Sequence, residues 1–142
     1  MKIHITENIE NIIEGYGMVP IIYGKVDLNK YPDNSLTEII AIDALDSIPE
    51  NLFNDFLKQV VNKMRIGCIA IFGGVELGLV VRNVINGKID SAEFNHLVFN
   101  KKSIHSCADV VKLLQFLNLN IDNVNIRGSN YEIAFSRPAN KN

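Results

Sequence analysis

The sequence has no tryptophan, only two cysteines and a formal net charge of only −2 over 142 residues. Cys68 and Cys107 lie in no metal-binding spacing, so neither a structural zinc site nor a disulfide framework is expected. The near-neutral charge gives no overall attraction to nucleic acid. No apolar run approaches the length of a membrane span, and the first residues, MKIHITEN, lack the apolar core of a signal peptide. A cytoplasmic protein with no membrane or nucleic-acid partner is therefore expected.

The composition that remains is that of a globular protein, with 47% hydrophobic and 21% charged residues. A chain of this length can bury most of its apolar surface in one core. No repeat, low-complexity tract or linker divides it. We therefore expect a single domain over residues 1–138, followed by a frayed polar tail over 139–142.

The first half of the chain contains short apolar runs separated by turn-forming residues. Four of these runs predict strands: a short alternating one over residues 2–6 and buried ones over residues 18–23, 38–42 and 68–72. The spacing of Ile9, Ile12 and Ile13 predicts a short helix over residues 7–14, and the turn-rich stretch 27–35 predicts a loop.

The tetrapeptide Ser47-Ile48-Pro49-Glu50 has the pattern of a capping box, which predicts a helix with Ser47 as its N-cap. Apolar residues then recur in steps of three and four, and Gly67 is predicted to stop this helix. The buried side chains expected along it are Leu52, Phe53, Phe56, Leu57, Val60, Val61 and Met64.

The second half predicts three helices and a hairpin. Residues 77–85 are amphipathic, residues 92–97 form a shorter helical pattern, and Ser106 to Asp109 resembles a second capping box. The helix that follows Ser106 should bury Val110, Leu113, Leu114 and Leu117. Two alternating runs, 121–127 and 131–136, flank Gly128-Ser129, a pair suited to a tight II′ turn. The order of elements indicates a doubly wound α/β sheet, mostly parallel, with an antiparallel pair at its end.

Several of these stretches together resemble the class I S-adenosylmethionine-dependent methyltransferases. The run VDLNKYPDNSLTEIIAIDALDSIP is similar to the middle of that family, and LFNDFLKQVVNKMRIGCIAIF is similar to its next helix, turn and strand. The segment VVRNVINGKIDSAEFNHLVF and the closing hairpin resemble its rear part. The resemblance covers roughly residues 26–138 and implies a shortened Rossmann-like sheet with helices on both faces.

The chain departs from the family at the turn after the first strand. There the family has a glycine-rich loop that lets the backbone approach the methionine part of the cofactor. This sequence has Thr6-Glu7-Asn8 instead, so Glu7 should lie where the carboxylate of the ligand is expected. Only residues 1–25 precede the part that matches the third family strand, so one strand and one crossover helix are expected to be missing.

The resemblance implies S-adenosylmethionine as cofactor and places it on six residues: Thr6, Asp27, Leu28, Asp43, Ala44 and Leu45. Asp27 and Leu28 match the positions that hold the adenine ring, although an aspartate that ends a strand and caps a turn is a common alternative. Asp43 and Asp46 could form a polar base or a ligand clamp. Alternatively, Asp46 and Ser47 stabilise the start of a helix, where the helix dipole is positive.

Other candidate sites are weaker. The stretch Gly73 to Gly78 follows a strand, but it has Val75 in place of the second glycine of a dinucleotide loop and lacks the lysine of a P-loop, so a strand-to-helix turn is expected. The three histidines, His4, His96 and His105, are too dispersed for zinc and are expected at or near the surface. Cys107 at a helix start could have a lowered pKa, but a structural role is favoured. A modest basic rim could form from Arg82, Lys88, Lys101, Lys102 and Arg127.

Two functional hypotheses follow. The first is an S-adenosylmethionine-dependent methyltransferase-like protein with a small-molecule or protein acceptor that the sequence does not identify. No catalytic residue is assigned. The second is a non-catalytic derivative, a binding or assembly module that kept the sheet and lost the cofactor. A shortened sheet should also expose apolar surface, which predicts a homo-oligomer.

Overall fold

The computed structural model describes residues 1–139, and the last residues of the predicted tail, 140–142, lie outside that range. The described chain contains four helices: α1 (Glu50–Lys63), α2 (Leu77–Ile85), α3 (Ser91–Val98) and α4 (Cys107–Phe116). It contains six strands: β1 (Lys2–Thr6), β2 (Gly17–Pro20), β3 (Leu36–Ala41), β4 (Met64–Val75), β5 (Asn120–Arg127) and β6 (Asn130–Ser136). Within residues 1–139 the longest helix has only 14 residues, so none could cross a membrane.

The six strands form one sheet in the order β2-β1-β3-β4-β6-β5. The first four are parallel to one another, whereas β6 runs antiparallel to both β4 and β5. The predicted mostly parallel α/β sheet with a terminal antiparallel hairpin is therefore confirmed. Gly128, at a φ of 60°, opens the two-residue turn of that hairpin, where glycine tolerates a conformation that other residues avoid.

The main core lies between one face of the sheet and the helices α1 and α4. Phe72 on β4 is fully buried, stacks on Phe56 of α1 at 5.9 Å between ring centroids, and meets Phe135 of β6 edge-on at 4.8 Å. Leu57 of α1 and Leu113 of α4 line one small cavity of about 160 Å³, which shows that the two helices lie side by side. The apolar spacing of each helix explains which stripe it buries.

The opposite face of the sheet is crossed by a loop, and the predicted helix over residues 7–14 is wrong. Ile9 and Ile12, which were expected to be on the apolar side of that helix, are 64% and 76% exposed. The loop is attached by a hydrogen bond from the Tyr16 hydroxyl to Glu38 of β3. Only ten residues return the chain from the end of β1 to the start of β2, too few for a helix and its two connections.

The predicted capping box at Ser47 is also wrong. Helix α1 begins at Glu50 with Pro49 as its N-cap, and no side chain caps it. Ile48 has an extended backbone, at φ −107° and ψ 123°, because the residue before a proline is kept out of the helical region. Ser47 instead belongs to a short 3₁₀ turn, Leu45–Ser47.

Three boundaries differ from those predicted, and three predicted helices are present. Helix α1 ends at Lys63 and β4 begins directly at Met64, so Gly67, at a φ of 84°, lies inside the strand and does not stop the helix. Strand β2 ends at Pro20, before the predicted limit. The helices predicted over residues 77–85 and 92–97 are present, and Ser106 caps α4 by accepting a hydrogen bond from the backbone N–H of Asp109.

Candidate functional site

The order of strands reverses between β1 and β3. From β1 the chain continues outward to β2, and from β3 it continues in the other direction to β4. Open α/β sheets bind ligands in the crevice that such a reversal leaves at the carboxyl ends of the strands. The candidate site therefore lies between the end of β1, at Thr6 and Glu7, and the residues that follow β3, Ile42 and Asp43.

Glu7 spans this crevice. Its Oε2 accepts a hydrogen bond of 2.5 Å from the hydroxyl of Ser47, which lies in the turn after β3. Ser47 is buried, at 7% exposure, whereas Glu7 is exposed. A carboxylate acceptor makes this bond stronger than one between neutral groups. The Glu7–Ser47 bridge thus connects the two strand ends across the place where a ligand would enter.

Thr6, the first of the predicted cofactor residues, is occupied by its own turn. Its Oγ1 accepts from the backbone N–H of Asn8 at 3.0 Å and contacts the Asn8 carbonyl at 3.3 Å. The side chain is buried and lies at the end of β1, as expected. The turn contains no glycine, so its backbone is screened by three side chains.

The segment after β3 contains three more of the predicted residues. Asp43 is exposed and has a φ of 57°, a left-handed conformation uncommon for a residue other than glycine. Ala44 and Leu45 are fully buried in the core. Neither residue therefore offers any surface to a ligand while the crevice is closed, whereas Asp43 is exposed to solvent at the crevice.

Asp46, the predicted partner of Asp43, is buried and makes its contacts within the fold. Its Oδ2 lies 3.2 Å from the Lys101 ammonium and 3.4 Å from the backbone nitrogen of Val75, while its Oδ1 has no partner. Burial raises the pKa of the Asp46 carboxyl, and the charge of Lys101 opposes that shift. Lys101 is therefore part of an ion pair here and is not a free member of the predicted basic rim.

Asp27 and Leu28 lie away from the crevice. Leu28 is fully buried. Asp27 is exposed, and its Oδ1 accepts from the backbone N–H of Asn29 at 2.9 Å, the turn-capping role that was the alternative to adenine binding. Asp27 also lines an open groove of about 540 Å³ beyond the edge strand β2, together with Lys25 and Lys30. The structure thus places the six predicted cofactor residues in two separate regions.

Glu76 was not singled out from the sequence, yet it joins two helices at this edge of the sheet. It is 8% exposed, and its two oxygens accept from the backbone N–H groups of Leu79 at 2.8 Å and Cys107 at 2.9 Å. One carboxylate therefore caps the starts of both α2 and α4. Its position three residues before Leu79, directly after a buried strand, is the signal that could have indicated a cap.

Gly73 has a packing role and makes no phosphate loop. It lies within β4, and a side chain there would place its Cβ 2.7 Å from the carbonyl oxygen of Tyr131 on β6. Tyr131 is itself 2% exposed, and burial raises the pKa of its hydroxyl. The expectation that this stretch is a strand-to-helix connection agrees with the position of β4 and α2.

The thiols and imidazoles supply no reactive centre. Burial raises the pKa of Cys68 to about 11, and burial together with Glu76 raises the pKa of Cys107, so both thiols stay protonated. His4 is buried, at 3% exposure, which corrects its predicted surface position. Across residues 1–139 no cluster of three histidine, cysteine or acidic side chains is arranged to bind a metal ion.

The sheet order, its antiparallel last strands and the crevice beside β1 define a class I methyltransferase-like fold, and comparison with known proteins agrees. No family model and no curated protein sequence matches the chain. Solved structures do match. A SAM-dependent methyltransferase from Methanosarcina mazei superposes with a TM-score of 0.58 at 12% identity, over 94% of this chain and 80% of that one.

Two further structures match over somewhat less of their own length. A SAM-dependent methyltransferase from Archaeoglobus fulgidus has a TM-score of 0.57 and 11% identity, with 87% of this chain and 68% of that chain covered. Magnesium protoporphyrin IX methyltransferase from Synechocystis, with bound SAH, has a TM-score of 0.55 and 13% identity, with coverages of 92% and 55%. The chain thus spans between about half and four fifths of these structures, and the likeness is one of fold.

Proposed function

We propose that this chain is an S-adenosylmethionine-dependent methyltransferase-like protein with its ligand site at the crevice between β1 and β3. The observation that supports this most is the strand order, which reverses beside β1 in a fold similar to that of known methyltransferases. Thr6 and Asp43 would contact the cofactor, and Ala44 and Leu45 would contact it only once the crevice opens, whereas Asp27 and Leu28 are not assigned to it. Bound there, S-adenosylmethionine would supply a methyl group on a positively charged sulfur to a nucleophilic acceptor.

The charges at the crevice fit only part of this cofactor, and the closed shape of the crevice does not fit it. The exposed carboxylates of Glu7 and Asp43 attract the positive sulfonium and ammonium groups of S-adenosylmethionine, but Glu7 repels its carboxylate. The bridge from Glu7 to Ser47 nevertheless fills the entrance. Binding would require this hydrogen bond to open, which lowers the apparent affinity by the fraction of molecules that are closed.

Isothermal titration with S-adenosylmethionine and S-adenosylhomocysteine tests this proposal. Ser47→Ala removes the bridge but keeps the Glu7 carboxylate for the ligand. This variant should therefore bind S-adenosylmethionine about 10-fold more tightly than wild type, which corresponds to about 1.4 kcal/mol of binding free energy. Ser35→Ala is the matched control, because its hydroxyl bonds Pro32 in a distant turn, and it should bind like wild type.

Absence of heat at millimolar ligand, for wild type and Ser47→Ala alike, would contradict the proposal. That result would favour the second candidate, a non-catalytic module derived from a methyltransferase. The glycine-free turn and the Glu7–Ser47 bridge support this candidate, because together they occupy the space that a nucleoside-bearing ligand needs. A methyl acceptor is proposed only under the first candidate, and its chemistry is not assigned.

A further inference from the structure

The face of the sheet opposite α1 and α4 presents a surface of isoleucines. The register aligns Ile40 of β3 with Ile71 of β4, and Ile71 with Ala134 of β6, so these side chains form one row. Ile69 and Ile42 lie beside this row and are 54% and 36% exposed. Successive side chains along a strand point to opposite faces of the sheet, so every second residue lies on the same face. All five of these residues therefore point to the side away from the main core.

The loop between β1 and β2 extends this surface. His4 lies on the same face of β1 and is only 3% exposed, so this face is covered at the position of His4. The Tyr16 hydroxyl bonds Glu38 on the same face of β3. Ile9 and Ile12, the exposed residues of this loop, therefore belong to the same side of the molecule. We call this surface, made of Ile9, Ile12, Ile40, Ile42, Ile69 and Ile71, the isoleucine face.

The size of the isoleucine face is that of a protein interface. From their exposed fractions, Ile9, Ile12, Ile42 and Ile69 present roughly 400 Å² of apolar surface, within the range where the largest patch of a monomer is often functional. A stable interface buries about 800 Å² per partner, of which somewhat more than half is apolar. The face therefore supplies about the apolar area that one side of a stable dimer needs.

We propose that the isoleucine face binds the same face of a second copy of this chain. Flat sheet faces built from β-branched side chains pack well on one another, about 10 Å apart, and a two-fold axis makes each copy the complement of the other. Two acidic residues lie on this side of the central strands. Glu38 is paired with Lys2 at 3.3 Å, and Glu132, next to Ala134 on β6, is half-buried.

Sedimentation equilibrium from micromolar to hundreds of micromolar protein tests the dimer. Ile69→Lys is the main variant, because residue 69 pairs with Glu38 across the strands and a lysine there is compatible with folding. In a dimer it would bury two like charges near each other, so we expect the dissociation constant to rise at least about 100-fold. Ile12→Lys, in the loop, should weaken the dimer without touching any strand.

Ile85→Lys is the matched control, since Ile85 is 78% exposed on α2, outside the isoleucine face, and this variant should dimerise like wild type. Circular dichroism and thermal melts check that each variant folds. Wild type that stays monomeric at every concentration would overturn the proposal, which would leave the face to a different partner. A dimer that persists unchanged in both Ile69→Lys and Ile12→Lys would overturn it as well.

Discussion

Removing the Glu7–Ser47 bridge should change stability in a way that reveals whether the crevice is closed in solution. The two side chains are separated by 40 positions in sequence and are joined by one hydrogen bond of 2.5 Å between the ends of β1 and β3. The informative perturbation is a double-mutant cycle with Glu7→Ala, Ser47→Ala and the combined variant, because the cycle isolates the energy of the pair.

The expected magnitudes follow from the different burial of the two groups. Ser47 is buried, at 7% exposure, so Glu7→Ala leaves its hydroxyl donor without a partner. This variant should lower the free energy of unfolding by about 1–2 kcal/mol. Ser47→Ala should cost less than Glu7→Ala, because the freed carboxylate is exposed and returns to water. The coupling energy should be about 1 kcal/mol, or about 3–4 °C in melting temperature for a chain of this size.

Urea unfolding of the four proteins at pH 7 measures this cycle, with the midpoint and the slope compared for each variant. The double variant should be no less stable than Glu7→Ala alone, because removing the hydroxyl also removes the unpaired donor. Single effects that add to within about 0.3 kcal/mol in the double variant would show that the bridge is not formed in solution. The closed crevice, and the affinity gain expected of Ser47→Ala, would then be refuted together.

Three further predictions concern the core and the buried charge. Phe72→Ala should lower the free energy of unfolding by about 3–5 kcal/mol, measured by urea denaturation, since its ring is fully buried between two other phenylalanines. Gly73→Ala should lower the melting temperature more than Gly74→Ala does, because its Cβ would stand 2.7 Å from the Tyr131 carbonyl oxygen, whereas a Cβ at Gly74 would have its nearest neighbour at 3.5 Å, an ordinary contact. Asp46→Asn should change the pH dependence of stability. The raised pKa of Asp46 means that the folded state holds the proton more tightly than the unfolded state does. The free energy of unfolding of wild type should therefore fall, relative to that of the variant, as the pH rises above about 4. Parallel curves of stability against pH for the two proteins would contradict this.

Much of the fold could be predicted because it depends on neighbouring residues. The apolar β-branched runs identify β1, β3 and the second half of β4, and the period of three and four identifies α1 and α2. The Ser106 cap and the Gly128-Ser129 turn are interactions within four residues, and both are present as predicted. Such patterns are decided locally and carry over into the folded chain.

The predictions that were wrong each involve a competing constraint. The isoleucine spacing over residues 7–14 satisfies a helix locally, but the short return from β1 to β2 does not leave room for one. Ser47 has the spacing of a cap, yet Pro49 forces Ile48 to be extended and delays α1 to Glu50. The early start of β4 at Met64 has no signal in the sequence, because pairing with Leu36 of β3 sets it.

By itself, the sequence determined a mostly parallel α/β fold, its apolar runs, most of its helix and turn positions, and the absence of a glycine-rich turn after β1. Only the tertiary structure decided that Glu7 reaches Ser47, that Asp46 pairs with Lys101, that Leu28, Ala44 and Leu45 are buried, and that one sheet face presents its isoleucines to solvent. The physical reason is distance along the chain. These contacts join residues tens of positions apart, and they exist only once the strands have taken their order in the sheet.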